Sequence, residues 1–125
     1  MLTDTTFWID LAQERIRFGE RPAHRFFARH RAHDLQVSII TWGELAVGVN
    51  SPFELDQLLR RVRTIGLPLQ VAWEAGRIDR ELSAVGASLG EHDLWIAATA
   101  RAWGMRLVSR DQAFERVPRL HVVSY

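Results

Sequence analysis

The sequence predicts an α/β domain whose core is a mostly parallel sheet covered on both faces. Three observations carry that prediction. Short runs of branched apolar residues alternate with amphipathic stretches of ten or more residues, the pattern of a chain crossing over a sheet between parallel strands. Glycine and proline fall between the runs. The stretch from Asp93 to Trp103 is apolar on nearly every side, so the helix it forms belongs in an interior.

Taken in order, Met1 to Asp4 reads as a very short strand, and Asp4-Thr5-Thr6 stands at its end. Phe7, Trp8, Ile9 and Leu11 begin an apolar helical face with Asp10 and Gln13 on the polar side. Pro22, in a first helical turn, leads into Ala23, Phe26, Phe27 and His30 at spacings of three and four. Leu35 to Ile40 alternates and is rich in branched residues, which makes it the second strand. Ser38 and Thr41 lead into a helix holding Glu44, Leu45, Val47 and Val49, where Gly43 and Gly48 leave room for a close approach. Ser51-Pro52-Phe53-Glu54 is a capping box with proline at the first helical position, and the helix it starts is expected to run to about Ile65. Gly66 and Pro68 end that helix, and Leu67 to Val71 reads as a third strand. Trp73 to Val85 is helical, with Ile78, Leu82 and Val85 on one face.

Asp93 then opens the all-round apolar helix, and Gly104 ends it as a left-handed cap. Met105 to Val108 is a buried strand carrying Ser109, Arg110 and Asp111 at its end. Ala113, Phe114 and Val117 make a short helical turn that Pro118 stops, and His121 to Ser124 is the last strand. Residues 1–125 are expected to form one domain, without linker or repeat.

Composition narrows the chemistry. No cysteine is present, which excludes disulfides, thiolate metal sites and cysteine nucleophiles. All sixteen basic residues are arginine, so phosphate loops and other sites that need a lysine are excluded as well. A net charge of +1 does not itself imply nucleic acid, although arginine offers bidentate contacts to phosphate. Asp4 and Asp10 interrupt any apolar leader, and no run approaches the roughly 18 apolar residues of a membrane span, so a cytoplasmic protein is expected.

Four acids fall where elements end: Asp4 after the first strand, Glu44 in the helix after the second, Asp93 at a helix start and Asp111 after a late strand. In a parallel sheet these ends share one edge, where open α/β sheets gather their ligands. Each acid alone has a structural explanation: Asp93 as an N-cap, Asp111 capping the turn before Phe114, Asp4 in an Asx turn, Glu44 on a solvated helix face. If the fold brings them together they form an acidic site, in which several carboxylates a few ångströms apart stay ionised only with a cation. Carboxylate oxygens suit Mg²⁺ or Mn²⁺, and the reaction class that follows is phosphodiester hydrolysis.

The same residues resemble the PIN-domain ribonucleases, and among them the VapC toxins of VapBC toxin-antitoxin pairs. Leu2 to Asp10, Ser38 to Glu44 with Gly48, and Asp93-Leu94-Trp95-Ile96-Ala97-Ala98 through Ser109-Arg110-Asp111 to Phe114 carry the likeness, in order and over nearly the whole chain. The resemblance implies a three-layer α/β/α PIN-like fold in which Asp4, Glu44, Asp93 and Asp111 bind Mg²⁺ or Mn²⁺. It implies Thr6 or Ser109 as a supporting polar group near the metal. It further implies cleavage of RNA, an antitoxin partner whose tail covers the acidic site, and a homodimer.

Other residues invite weaker readings. His24, His30, His33, His92 and His121 would need three members to hold zinc, and only His30 and His33 are close enough to share a helix face. Trp95 and Trp103 are read as core, while Trp8 and Trp42, near proposed ligands, are read as packing in preference to base stacking. Arg60, Arg61 and Arg63 form a basic cluster on one helix; Arg101, Arg106 and Arg110 lie near the acidic end, and Arg110, beside Asp111, is the candidate phosphate contact. The alternatives to an endoribonuclease are a non-cleaving PIN-like module that binds RNA or antitoxin, and a nuclease acting on DNA.

Overall fold

A computed structural model describes residues 1–16, 18–30 and 34–125. Its strands are β1 (Leu2–Thr3), β2 (Gln36–Ser38), β3 (Arg63–Ile65), β4 (Leu107–Val108) and β5 (Val122–Val123), in the sheet order β3-β2-β1-β4-β5. Every pairing among them is parallel, with Leu2 opposite both Gln36 and Leu107. Among the described residues six α-helices accompany them: α1 (Thr5–Gln13), α2 (Pro22–Arg29), α3 (Ile39–Ala46), α4 (Pro52–Leu58), α5 (Leu69–Ser83) and α6 (Glu91–Ala102). A 3₁₀ turn, Gln112–Arg116, follows β4.

Successive strand residues face opposite ways, and this sorts the core into two layers. Leu2 and Leu107 join Val71, Ile78 and Leu82 of α5 and Ile96, Ala97 and Ala100 of α6 on one side. Val37 and Val108 join Phe7, Trp8 and Leu11 of α1, Ala23 of α2 and Leu55 of α4 on the other. The result is the expected three-layer α/β/α arrangement. Five consecutive residues of α6, Ile96 to Ala100, are buried, as a helix apolar all round requires, and Gly104 follows it with φ of +61°.

Local signals account for the helix starts. Asp4 caps α1 by accepting from the Phe7 amide at 2.8 Å, Ser38 caps α3 by accepting from Thr41, and Ser51 caps α4 by accepting from Glu54. At α2 the capping position is Arg21, whose side chain does not bond the helix end; Glu14 arrives from beyond the end of α1 and accepts from the Ala23 and His24 amides at 3.1 and 2.9 Å.

Several sequence expectations are corrected. The α4 helix stops at Leu58 rather than near Ile65, because Arg61 takes a left-handed φ of 68° and Arg63–Ile65 pairs with β2 as an edge strand. The third strand is therefore this segment and not Leu67 to Val71, where Pro68 instead caps α5. The second strand ends at Ser38, so Ile39 and Ile40 already belong to α3. Arg60, Arg61 and Arg63 do not share a helix. Among the described residues nothing lies within 4 Å of where a side chain would start at Gly43, and at Gly48 only the Leu45 carbonyl oxygen lies near, at 3.6 Å. Trp8 is fully buried, and its indole Nε1 donates to Thr3 Oγ1 at 2.8 Å, whereas Trp103, expected in the core, caps α6 and is 46% exposed.

Arg101 is not near the acidic end. It lies eight residues along α6 from Asp93, about 12 Å at 1.5 Å per residue. Its Nε donates to Glu74 and its Nη1 to Glu81, both at 2.6 Å, and its side chain is only 6% exposed. Arg106 sits at the opposite edge of the sheet, its carbonyl accepting from the Leu2 amide. Glu74 keeps Arg77 and Glu81 keeps Arg119 when this guanidinium is removed, so Arg101→Met loses the charged hydrogen bonds without stranding either acid and is expected to lower stability by about 1–3 kcal/mol, measured as the urea unfolding midpoint.

Candidate active site

The parallel register brings the carboxyl ends of β1 and β4 side by side, so Asp4 and Ser109, each one residue past its strand, meet. Ser109 Oγ donates to Asp4 Oδ2, while Asp4 Oδ1 serves the α1 cap. The Asp111 amide donates to Ser109 Oγ at 3.0 Å, and Asp111 Oδ1 accepts from the Ala113 amide at 2.8 Å. Capping and site membership were alternatives for Asp4 and Asp111 in the sequence; here one carboxylate oxygen caps and the other is left over for the site.

Asp93 differs from both. The N-cap of α6 is Gly90, which places Asp93 in the first turn, and among the described residues its carboxylate accepts no hydrogen bond. It is thus not spent on the helix end, though it still benefits from the positive pole of the dipole. Glu44 comes from α3: Thr5 Oγ1 donates to its Oε2, and His92 Nδ1 to its Oε1 at 2.9 Å. The hydroxyl at Glu44 therefore belongs to Thr5, the first residue of α1, and not to Thr6, which makes no side-chain hydrogen bond among the described residues.

Two of the four acids, Asp4 and Asp93, feel the charges of their neighbours. Burial pushes the Asp4 carboxyl up from its ordinary value to about 6, against the lowering effect of the Ser109 and Phe7 hydrogen bonds, with the Asp93 and Asp111 charges adding to the rise. Asp93 is also raised, first by burial and then by the Asp111 and Glu44 charges, with His92 opposing. Asp4 is 3% exposed. Glu44, Gly90, His92 and Asp93 line an open cleft at the mouth of this group.

As the side chains stand, no three acid or imidazole groups among the described residues close around a single point in the manner of a finished metal cage. The donor set nevertheless fits a hard divalent cation, because it consists of carboxylate and hydroxyl oxygens, and two of its acids carry a charge penalty that a cation relieves.

The remaining candidates separate. Arg110 is held by Asp10 through a two-pronged contact, Nε at 2.8 Å and Nη2 at 3.0 Å, and Tyr125 OH donates to the same carboxylate at 2.8 Å. In the sequence Asp10 falls on the polar side of a helical face, and nothing local marks it as the partner of a residue a hundred positions away. His24 pairs with Glu14, His30 stacks on Phe26 with its Nδ1 at the Phe26 carbonyl, and His92 is on Glu44, so these three serve different elements. His33 lies outside the described residues. Trp42 is half-buried against the α1–α4 core layer.

The chain thus combines a parallel α/β/α fold with carboxylates brought to the carboxyl edge of its sheet. The PIN domain family model matches residues 1–120, and the chain belongs to that family. Ribonuclease VapC4 of Mycobacterium tuberculosis is 28% identical over 132 residues, covering 98% of this chain and 95% of that protein. Among solved structures, VapBC2 from Rickettsia felis bound to a DNA fragment from its promoter matches with a TM-score of 0.81 at 20% identity, covering 98% of this chain and 96% of that one. A toxin-antitoxin complex from Klebsiella pneumoniae matches with a TM-score of 0.74 at 26% identity, covering 98% and 94%.

Proposed function

We propose that this single PIN-like domain, residues 1–125, is a metal-dependent endoribonuclease and the toxin of a toxin-antitoxin pair. The observation that carries the reading is the convergence of four charge-coupled acids at one sheet edge, with Asp93 left free of any capping duty. The ribonuclease name of the VapC4 relative and the toxin-antitoxin complex of the Klebsiella neighbour point the same way.

In this reading Asp4, Glu44, Asp93 and Asp111 hold Mg²⁺ or Mn²⁺. When bound, the cation supplies positive charge against the scissile phosphate and lowers the pKa of attacking water. Ser109 orients the Asp4 carboxylate, and Thr5, in place of Thr6, is the hydroxyl at Glu44. Arg110, fixed at Nε and Nη2, keeps Nη1 for the RNA backbone. Hydrolysis leaves a 3′-hydroxyl and a 5′-phosphate. The partners are an antitoxin whose tail covers the acids and a second copy of the chain in a homodimer. The setting is the cytoplasm, and no helix among the described residues is long and apolar enough to cross a membrane.

The test is cleavage of matched labelled RNA and single-stranded DNA, with Mn²⁺ or Mg²⁺ and with EDTA. Cleavage of RNA alone, and only with metal, is expected. Equal cleavage of DNA would reassign the substrate, and binding of RNA without cleavage would make the chain a recognition module. Mn²⁺ at millimolar concentration is also expected to raise the melting temperature of the wild type by mass action, read by differential scanning fluorimetry.

A further inference from the structure

We infer that Thr5 and His92 form a two-donor clamp that sets the Glu44 carboxylate for cleavage, which makes both of them positioning residues of the site. The inference rests on the nuclease reading above. Glu44 is the one site acid that reaches in from the middle of a helix, with three side-chain torsions to fix. Asp4 is tied by the α1 cap and Asp111 by the 3₁₀ turn that each begins, but among the described residues no backbone amide donates to the Glu44 carboxylate.

Its two oxygens are instead taken by donors from two other helices. Thr5, at the first position of α1, holds Oε2, and His92, in the first turn of α6, holds Oε1 at 2.9 Å. These are the helices that begin at Asp4 and carry Asp93, so the clamp ties Glu44 to the elements that place those two acids. A carboxylate only accepts, so the imidazole Nδ1 is the donor. Each carboxylate oxygen has two lone pairs, and one donor apiece leaves each free to accept again; the clamp fixes Glu44 without exhausting it.

His92 is 63% exposed at its side chain and Glu44 28%. So open a contact contributes little to holding a fold together, and its effect is to be sought in placement. A reacting group misplaced by about 1 Å costs roughly 10²-fold in rate. Loss of one of two donors is expected to cost part of that.

The experiment measures kcat and KM for an RNA substrate, and the Mn²⁺ concentration giving half of the melting-temperature rise, in His92→Ala, His92→Asn, Thr5→Val, Thr5→Ser and Asp93→Asn. His92→Ala and Thr5→Val should each lower kcat by roughly tenfold, with KM within about twofold, and should shift the Mn²⁺ midpoint upward. His92→Asn and Thr5→Ser, which retain a donor, should recover most of both. Wild-type kcat and Mn²⁺ midpoint in His92→Ala and Thr5→Val would overturn the clamp, as would a loss that the donor-keeping variants do not rescue. Undiminished cleavage by Asp93→Asn would instead overturn the nuclease assignment. A wild type without any Mn²⁺ shift would overturn both.

Discussion

Asp93→Asn is expected to reduce RNA cleavage by roughly 10²-fold or more while the protein melts higher than wild type in the absence of metal. Loss of activity follows from removing a carboxylate that no helix end uses, at the point where positive charge must be held against the scissile phosphate. An effect of that size corresponds to a few kcal/mol of transition-state stabilisation. The gain in stability follows from the same geometry. Burial and the charges of Asp111 and Glu44 raise the Asp93 pKa, so its ionised form is penalised in the folded state, and a neutral amide of the same shape removes the penalty. A variant that is both inactive and more stable separates chemistry from folding, which a merely misfolded protein could not imitate.

Asp4→Asn carries the second large effect, and it is a function of pH. The folded Asp4 carboxyl titrates at about 6, against 3.8 for the unperturbed group. The native state therefore binds this proton more tightly than the unfolded chain does. Its contribution to stability is fully present below about pH 4 and is lost as pH rises through 6, leaving ionised Asp4 destabilising by at most roughly 3 kcal/mol at pH 8. The asparagine keeps an oxygen for the Phe7 amide, and the Ser109 hydroxyl can turn to accept from the new amide. At pH 8 without metal the variant should melt several degrees above wild type. Near pH 5 the difference should shrink, because the wild type then recovers its proton. Mn²⁺ at pH 8 should close the gap from the other side by stabilising the wild type more. Parallel melting curves at pH 5 and pH 8, with and without Mn²⁺, check this; a gap independent of pH would show that the Asp4 charge is not the cause.

Much of this arrangement was legible because its signals are local. The Ser51-Pro52-Phe53-Glu54 start, the buried run Ile96 to Ala100 and the glycine stop at Gly104 each depend on residues within one or two turns of chain. The acids at the element ends were legible for a related reason: once strands and helices alternate in a parallel sheet, every strand end falls on one edge. What was lost depends on distant partners. Leu58, Leu59, Val62 and Ile65 keep helical spacing, so the pattern extends α4 past its true end. Only the free edge of β2, about 25 residues earlier, draws Arg63–Ile65 into the sheet. Because that edge strand faces solvent, it lacks the alternation that would have marked it.

The site shows the same division. Spacing marks Asp4, Glu44, Asp93 and Asp111 as candidates, but not which neighbouring hydroxyl turns toward Glu44, since Thr5 and Thr6 are adjacent and differ by about 100° around the helix. The fork from Arg110 to Asp10, and the placement of Arg101 against Glu74 and Glu81, are tertiary contacts with no trace in local pattern. Proximity in sequence put Arg101 at the acidic end; two further turns of helix carry it away.

The central claim is that these acids, loaded with a divalent cation, cut RNA. The most direct measurement is incubation of total cellular RNA with purified, antitoxin-free protein in Mn²⁺ or Mg²⁺, against EDTA and against Asp93→Asn, with the ends of the fragments sequenced. Discrete fragments bearing 5′-phosphates, formed only by the wild type and only with metal, are the predicted result. Intact RNA from a protein that demonstrably binds Mn²⁺, or fragments that persist in EDTA, would contradict it.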